Sequence, residues 1–297
     1  KSEWGEIPNF KCFGYYGGMP KLNLKNPEVE KYITDVACYW IKECDIDGWR
    51  LDVGDEISHF FWKNFRKAVK AVKKDMLIIG EIWHYAGDFL EGDEWDTVMN
   101  YPFYLNLIDL LADEKITVSQ FVQNLGYLKG RLHKNCYPLM WNLIDSHDTA
   151  RFLHLCNDNK KKQHLAAAFQ LLLPGMPMIY YGDEYAMPGA NDPDCRRGMY
   201  WDEEYQDKEM YEWYKRLIQV RKSHACIVEG ELAGSVTEDE EGTIVLIRKN
   251  GEETIAMIFN CSSSAKKFNE YTQKYNLLTE NTFDGNVEGV DAAVIVL

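Results

Sequence analysis

The sequence predicts an α/β fold of parallel strands joined by helices, followed by a small antiparallel β domain. Short buried strand patterns alternate with amphipathic helical patterns over most of the 297 residues, which is typical of parallel strands with crossover helices. No hairpin signal separates these strands. From about residue 226 onward, two apolar strand patterns flank Asn250-Gly251, and this dipeptide is a strong hairpin signal.

The elements follow one another in a regular order after an irregular segment, residues 1–24. Asn26 is a helix cap and Pro27 is the first helical residue, so the first helix is expected to start there. Helical patterns cover 27–41, 61–72, 117–131, 164–173 and 208–221, and strand patterns cover 49–53, 77–81, 97–101, 139–144 and 178–181. The expected domains are therefore 1–24, 25–225 and 226–297.

The composition limits the classes of function. The formal net charge is −14, so phosphate-rich nucleic acids and anionic membranes would be repelled, and neither is expected as a partner. Hydrophobic residues make up 46% and charged residues 27%, as in ordinary soluble globular proteins, which excludes a disordered chain. Aromatic residues reach 13%, and a surplus beyond the core favours a site that stacks flat, uncharged ligands such as sugars.

Cysteine usage and the absence of long apolar segments indicate a cytoplasmic protein. The eight cysteines are scattered and contain no CxxC pair, so we expect reduced thiols and no metal ligands. No segment reaches the roughly 18 apolar residues of a membrane span. The first residues, KSEWGEIPNFKC, also lack the apolar stretch of a signal peptide.

Three acidic residues stand at or just after the ends of predicted strands. They are Asp52, Glu81 and Asp148, separated by 29 and 67 residues. An eightfold barrel uses about 31 residues per strand–helix unit, so Glu81 lies one strand after Asp52 and Asp148 two strands further. All three would then share the carboxyl face of the strands, where barrel enzymes place their chemistry. A doubly wound sheet would also place them at one edge, but less convergently.

Clustered carboxylates repel one another and therefore need a reason. One reason is a bound metal, and another is glycoside hydrolysis, in which one carboxylate attacks the anomeric carbon and a second carboxyl group protonates the leaving oxygen. Arg50 precedes Asp52 by two residues, so both face the same side of a strand and the cation would keep Asp52 ionised. His147, next to Asp148, can hydrogen-bond a sugar hydroxyl.

These residues lie in motifs that resemble conserved regions of the α-amylase family of glycoside hydrolases, in particular its neopullulanase, cyclomaltodextrinase and maltogenic amylase branch. The resemblance runs from about residue 1 to residue 225. The motifs, in chain order, are MPKLN (19–23), GWRLD (48–52), GEIWH (80–84), DTVMNYPF (96–103), DSHD (145–148) and NDPDCRR (191–197).

The resemblance implies a retaining hydrolase of α-1,4-glucans such as maltooligosaccharides, cyclodextrins or pullulan, and in some members also of α-1,6 links. It implies that Asp52 is the nucleophile, that Glu81 is the general acid and base, and that Asp148 binds the sugar in the −1 subsite. It also implies substrate-binding roles for a further set of residues. These are Arg50, His147, Trp83, Glu56, Asp192 and Arg196.

Two departures from the family pattern are visible. Where the branch commonly has VANE after the nucleophile, this chain has Val53-Gly54-Asp55-Glu56, so the acceptor side carries an extra charge. The family's DxxxNH region on its third strand has no counterpart, and counting strand patterns gives five of the eight of a (β/α)8 TIM barrel. We therefore expect a partial barrel whose segment 1–24 ends the long loop after barrel strand 3, followed by a β-sandwich domain.

Several expectations follow from this partial barrel. The chain alone should be inactive, its partner being the amino-terminal portion of the same enzyme, and the full-length form is a candidate homodimer. No cofactor or metal is expected in this chain; a calcium site, where relatives have one, lies upstream. Two alternatives stay open. A non-catalytic sugar-binding relative would usually lack one of the three acids, and a metal-dependent barrel hydrolase would lose activity with a chelator.

Overall fold

The alternation of strands and helices predicted from the sequence is present in the computed structural model, which describes residues 9–297. Residues up to Ile82, together with Ala86–Val98, form one unit, and Trp83–Tyr85 with Met99–Leu297 form a second. The first eight residues of the predicted segment 1–24 lie outside the described residues. The domain boundaries at 24/25 and 225/226 remain predictions.

The first unit contains a parallel sheet with two helices. Its helices and strands are α1 (Pro27–Cys44), β1 (Gly48–Leu51), α2 (His59–Val72), β2 (Leu77–Gly80) and β3 (Thr97–Val98). The strands are parallel in the order β1-β2-β3, with Leu51 paired to Gly80. The predicted start of α1 is confirmed, because Asn26 accepts a hydrogen bond from the amide of Glu28 and Pro27 is the first helical residue. Parallel pairing places the carboxyl ends of β1 and β2 side by side.

The buried ring of Trp95 fixes the backbone next to these strand ends. Trp95 is 1% exposed and stacks on Phe89 with ring centres 4.1 Å apart. A Cβ atom on Gly80 would lie 2.2 Å from the indole ring, and a Cβ atom on Gly54 would lie 2.5 Å from it. Both positions therefore require glycine as long as Trp95 occupies this space. This ring, which we call the Trp95 wedge, thus lies against the backbone shortly after Asp52 and directly before Glu81.

The second unit begins with parallel strands and ends with an antiparallel sheet. Its helices are α3 (Tyr101–Leu107), α4 (Val118–Arg131), α5 (Phe152–Leu155), α6 (Lys160–Leu172), α7 (Lys208–Ser223) and α8 (Cys226–Glu229). Strands β4 (Trp141–Leu143) and β5 (Met176–Met178) are parallel, and Met99 forms a parallel bridge with Trp141. The predicted parallel arrangement is confirmed at these positions; within residues 9–297, five strands take part in it.

Several predicted strand ranges were wrong at their ends, among them 49–53 and 139–144, and two others have a clear physical cause. The range 97–101 extends too far, because the Asn100 side chain caps the backbone amide of Phe103 and Tyr101 already starts α3. The range 178–181 begins too late, because β5 ends at Met178, whose carbonyl accepts a hydrogen bond from Gln170. The rings of Tyr180 and Tyr181 instead contact the guanidinium group of Arg151.

The antiparallel sheet predicted after residue 226 is confirmed. Its strands are β6 (Glu231–Glu238), β7 (Thr243–Asn250), β8 (Glu253–Asn260), β9 (Lys266–Lys267), β10 (Tyr275–Asn276), β11 (Asn281–Thr282), β12 (Asn286–Val287) and β13 (Asp291–Val296). Six of them pair in the order β11-β10-β13-β8-β7-β6, and β12 pairs with β9. Gly251 has φ +60° in the predicted β7–β8 hairpin. Phe259 stacks on Phe169 of α6 at 4.2 Å, while Phe268 and Val287 cover the other face, which is a sandwich arrangement.

All eight cysteines are free thiols. Burial raises the pKa of Cys156 and of Cys261 to about 12, so these two thiols stay protonated at neutral pH. In the part of the chain that the structure describes, no helix has both the length and the apolar character of a bilayer-spanning segment.

Candidate active site

The two acids of the first unit stand next to each other at the ends of neighbouring strands. Asp52 follows β1 and Glu81 follows β2, and the amide of Glu81 donates a hydrogen bond to the carbonyl of Leu51 at 2.9 Å. The carboxyl groups differ in solvent access, since the Asp52 side chain is 73% exposed and the Glu81 side chain is 4% exposed. One acid is therefore open to an incoming ligand, and the other is enclosed by protein.

Arg50 links these two acids. Its Nη1 contacts Oδ1 of Asp52, and its Nη2 lies 2.8 Å from Oε1 of Glu81. Arg50 lies on β1 two residues before Asp52, so the alternation of side chains along a strand brings both to the same face. The predicted contact between Arg50 and Asp52 is confirmed. The contact with Glu81 was not predicted, because it depends on strand pairing.

The backbone directly after Asp52 has an unusual conformation. Val53 has φ 47° and ψ 47°, the left-handed region that β-branched residues rarely adopt, at a cost of order 1–3 kcal/mol. Its amide donates to Oε2 of Glu81 at 2.9 Å, and the next amide, of Gly54, donates to the Glu81 carbonyl at 3.0 Å. The indole nitrogen of Trp62 donates to the carbonyl of Gly54 at 2.8 Å. These contacts hold the sharp turn that presents Asp52.

Glu56 has a partner that sequence reasoning missed. The ammonium group of Lys21 contacts the Glu56 carboxylate and donates to the Glu56 carbonyl at 2.9 Å. Glu56 does not start the following helix, because α2 begins at His59 and is capped by Ser58. Lys21 belongs to the MPKLN motif, so this motif is anchored to the turn that carries Glu56. The MPKLN motif marked Lys21 as a candidate functional residue, but the sequence did not indicate that its partner is Glu56.

A second group of predicted residues surrounds Asp148 in the second unit. Arg196 Nη2 donates to Oδ1 of Asp148 at 3.1 Å, and Arg196 Nε donates to the His147 carbonyl at 2.8 Å. Nε of Arg196 also lies 2.8 Å from Oδ1 of Asp192, and Nε2 of His147 lies 3.1 Å from Oδ2 of Asp148. The structure thus brings Asp192, Arg196, His147 and Asp148 together. The contact between Arg196 and Asp148 was not anticipated, because 48 residues separate them.

Trp83 presents an aromatic face next to a cavity of the second unit. The indole ring stacks on Tyr101 with centres 4.0 Å apart and planes inclined by 12°, yet Trp83 remains 41% exposed. It borders a cavity of about 430 Å³ that is also lined by Tyr85, Tyr127 and Arg131. The guanidinium group of Arg131 lies 3.9 Å from the centre of the Tyr85 ring. Part of the Trp83 surface is therefore accessible to a ligand.

Arg197, the last residue of the NDPDCRR motif, binds a neighbouring acid. Its Nε and Nη2 atoms donate to Oδ1 and Oδ2 of Asp194, each at 2.8 Å. This bidentate contact lowers the pKa of Asp194 to about 2, so the pair stays ionised at neutral pH. The Asp194 carboxylate also accepts from the amide of Ala190 at 2.7 Å, which closes the loop. The Arg197 guanidinium group therefore binds within its own loop, whereas that of Arg196 binds Asp148.

The predicted site residues therefore fall into two groups, one in each unit. Arg50, Asp52, Glu56 and Glu81 belong to the first unit, and Trp83, His147, Asp148, Asp192 and Arg196 belong to the second. Among residues 9–297, no group of three or more His, Cys, Asp or Glu side chains is arranged to hold a metal ion.

Comparisons with known proteins identify the family of this chain. Residues 3–230 match the family described as "Alpha amylase, catalytic domain". The chain is 46% identical to the cyclomaltodextrinase of Geobacillus thermopakistaniensis (strain MAS1) over 258 residues, which cover 87% of this chain and 44% of that protein. It is 43% identical over 253 residues to the intracellular maltogenic amylase of Bacillus subtilis, with 85% of this chain and 43% of that protein covered.

A solved structure matches the fold over almost the whole chain. A cyclomaltodextrinase structure superposes with a TM-score of 0.91 at 35% sequence identity. The match covers 97% of this chain and 52% of that chain. The chain thus spans about half the length of the relatives that it matches.

Proposed function

Because this chain belongs to the α-amylase family of glycoside hydrolases, we propose that it carries the catalytic acids of a retaining hydrolase of α-1,4-glucans. The observation that carries the proposal is the pair of acids at the ends of β1 and β2, joined by one arginine. The proposed substrates are maltooligosaccharides and cyclodextrins, and also pullulan with its α-1,6 links. The identity to relatives named cyclomaltodextrinase and maltogenic amylase supports this choice.

The proposed roles follow from the surroundings of each acid. Asp52, exposed and paired with Arg50, is the nucleophile that forms a covalent glycosyl–enzyme intermediate. Glu81, enclosed and held by Val53 and Arg50, first donates a proton to the leaving oxygen and then activates water. Asp148, ordered by His147 and Arg196, binds hydroxyl groups of the sugar in the −1 subsite. Asp192 acts through Arg196 on the donor side.

The shared arginine supports retention rather than inversion. Retaining sites hold their two carboxyl groups about 5–5.5 Å apart, whereas inverting sites leave roughly 6.5–9.5 Å for a water molecule. Asp52 and Glu81 contact the two terminal nitrogens of one guanidinium group, which holds the two carboxyl groups near each other.

Retention predicts the anomeric form of the first product. When maltohexaose is hydrolysed by the longest polypeptide that the gene encodes, we expect the α-anomer to appear first and to mutarotate afterwards. Proton NMR of the anomeric signals during the first minutes measures this, with the chain of residues 1–297 assayed in parallel. Initial release of the β-anomer would contradict the double displacement, and hydrolysis that stops on addition of a chelator would favour the metal-dependent alternative.

The length of the relatives bears on the activity of the isolated chain. The matched regions make up 44% and 43% of two relatives. We propose that residues outside this chain complete the barrel, that the isolated chain is inactive, and that the complete enzyme works in the cytoplasm. Homodimerisation of the complete enzyme is part of the same proposal.

We assign the acceptor side to Trp83. The exposed face of its ring, the other face being stacked on Tyr101, offers a platform for a glucose unit. Glu56 is assigned to the acceptor side as well, as a hydrogen-bonding group. The cavity of about 430 Å³ next to Trp83 is within the range of ligand sites that combine aromatic walls with a few polar groups. Trp83 follows Glu81 by two residues, so the chain keeps the platform near the proton donor.

Trp83→Ala should weaken the use of long substrates selectively. Loss of one aromatic stacking contact costs about 1–3 kcal/mol, which corresponds to a drop of roughly 5- to 150-fold in kcat/KM for maltohexaose. Trp83→Phe, which keeps an aromatic face, is the matched control and should retain most of the activity. Equal kcat/KM values for Trp83→Ala and the parent enzyme would remove Trp83 from the acceptor side.

A further inference from the structure

A buried cluster of charged groups adjoins the segment that carries His147 and Asp148. Asp145 stands three residues before Asp148, and Arg151 stands three residues after it. Together with Asp183, these residues are at most 1% exposed. Such groups are costly to bury without partners, and the hydrolytic roles proposed above use none of the three.

Arg151 connects the segment 145–151 to the chain around Asp183 and Gly189. Its Nη1 donates to Oδ1 of Asp183 at 3.1 Å, and its amide donates to the carbonyl of Gly189 at 2.9 Å. The guanidinium group lies 4.5 Å from the centre of the Tyr180 ring, a cation–π contact. The cation is therefore fixed and is paired with Asp183.

Asp145 occupies the other side of the same cluster. Its Oδ1 accepts a hydrogen bond from the amide of Phe152 at 2.5 Å, so it anchors the backbone where α5 begins. Its Oδ2 atom and the Oδ2 atom of Asp183 are both buried. Within residues 9–297, neither oxygen has a hydrogen-bond donor as long as both acids are ionised. Two carboxylates repel, but a single proton between them would satisfy both oxygens.

The charge balance points to one proton on this pair. With both acids ionised, the cluster would bury two anions and one cation; with one proton it is neutral. Burial raises the pKa of Asp145, and the charge and hydrogen bond of Asp183 raise it further. The other titratable groups that face the pair add no second cation, because they are Glu184, Tyr104, Cys156 and Tyr214. Since Arg151 pairs with Asp183, Asp183 keeps the charge and Asp145 holds the proton.

We propose that Asp145 is a protonated positioning residue, which donates a hydrogen bond to Asp183 and thereby fixes the segment 145–151 that presents His147 and Asp148. The relevance to catalysis rests on the function proposed above, whereas the protonation itself does not. Loss of this proton as the pH rises places two anions against one cation, so that the segment loosens. Asp145 acts through His147 and Asp148 and does not touch the substrate.

The sign of the pH dependence follows from the direction of the shift. An acid whose pKa is raised on folding adds stability that is present below the unfolded-state pKa and is lost as the pH rises through the folded-state pKa. The melting temperature of the parent protein should therefore fall from acidic toward alkaline pH because of Asp145. Asp145→Asn keeps the donor and cannot ionise, so the part of this fall that Asp145 causes should be absent from the variant, and its melting temperature should fall less with pH.

Two measurements test the proposal without any activity. Thermal unfolding from acidic to alkaline pH compares the parent with Asp145→Asn, and Asp291→Asn is the matched control, since burial also raises the pKa of Asp291 and it lies in β13. Infrared spectra of the parent at neutral pH should contain a carboxylic-acid C=O band that disappears in Asp145→Asn and persists in Asp291→Asn.

The outcomes separate the proposal from its alternatives. An unchanged fall of the melting temperature with pH in Asp145→Asn, or a neutral-pH acid band whose intensity this substitution does not reduce, overturns it. Should Asp145→Asn not fold, the parent alone decides, because the absence of an acid band that titrates at alkaline pH also overturns the assignment. If the complete enzyme is active and the pH profile of kcat/KM does not shift in Asp145→Asn, the positioning role is contradicted. If the protein is inactive but has the expected infrared band, only the proposed hydrolysis is contradicted.

Discussion

Asp52→Asn is expected to lower kcat on maltooligosaccharides by about 10⁴-fold or more, the scale seen when a covalent nucleophile is removed. The amide is nearly the same size as the carboxylate but cannot attack the anomeric carbon. The Asp52 side chain is 73% exposed, so the substitution should leave the fold intact. Substrate affinity, measured by calorimetry, should change little. The measurement is kcat of the complete enzyme, with the Kd of maltohexaose determined on the same preparation.

The sequence offers a matched control three residues away. Asp55→Asn makes the same chemical change in the same turn, and it introduces the residue that the branch commonly has in VANE. We expect its kcat to remain within a few-fold of the parent value. If Asp52→Asn kept most of the parent kcat, Asp52 would not be the nucleophile. An equal loss in both variants would indicate a general charge effect rather than covalent catalysis.

Arg151→Met should destabilise the second unit strongly. It removes the cation paired with Asp183 and leaves buried acids without a counter-ion, a change that costs about 3–5 kcal/mol. Burial raises the pKa of Asp183 and the charge of Arg151 lowers it, so the substitution raises it further. The stability deficit should therefore be small near pH 5, where protonation relieves the charge, and should grow toward pH 8. Urea unfolding at both pH values measures it.

Two variants complete this experiment. Arg197→Met removes a guanidinium from the partly exposed pair with Asp194, and we expect a much smaller loss at both pH values, because solvent screens such pairs. The double variant Arg151→Met/Asp183→Asn should recover part of the stability at pH 8. A deficit of Arg151→Met that is independent of pH would mean that lost packing, rather than an unpaired charge, causes it.

Much of the fold and the order of the acids could be predicted from the sequence, because these depend on local patterns. The cap at Asn26, the parallel β1 and β2, and the β7–β8 hairpin at Gly251 each leave a signal within a few residues. Asp52 and Glu81 could be placed at neighbouring strand ends because crossover units have a regular length.

Contacts between distant segments could not be predicted in this way. Arg196 reaches Asp148 across 48 residues, and Lys21 reaches Glu56 across 35. Both cations lie in motifs that the sequence analysis identified, but a motif indicates which residues matter and not which residues they contact. The left-handed turn at Val53 could not be predicted either, since a β-branched residue argues against that conformation and the contacts that hold the turn come from Glu81 and Trp62.

The Trp95 wedge couples the side chains that positions 54 and 95 can hold at the same time. The branch commonly has alanine where this chain has Gly54, and a methyl group there would collide with the indole ring at 2.5 Å. We expect Gly54→Ala to be tolerated better when Trp95 is replaced by a smaller side chain, so that the effects of the two substitutions on stability are not additive. A library that varies position 54 alone would then find glycine required there.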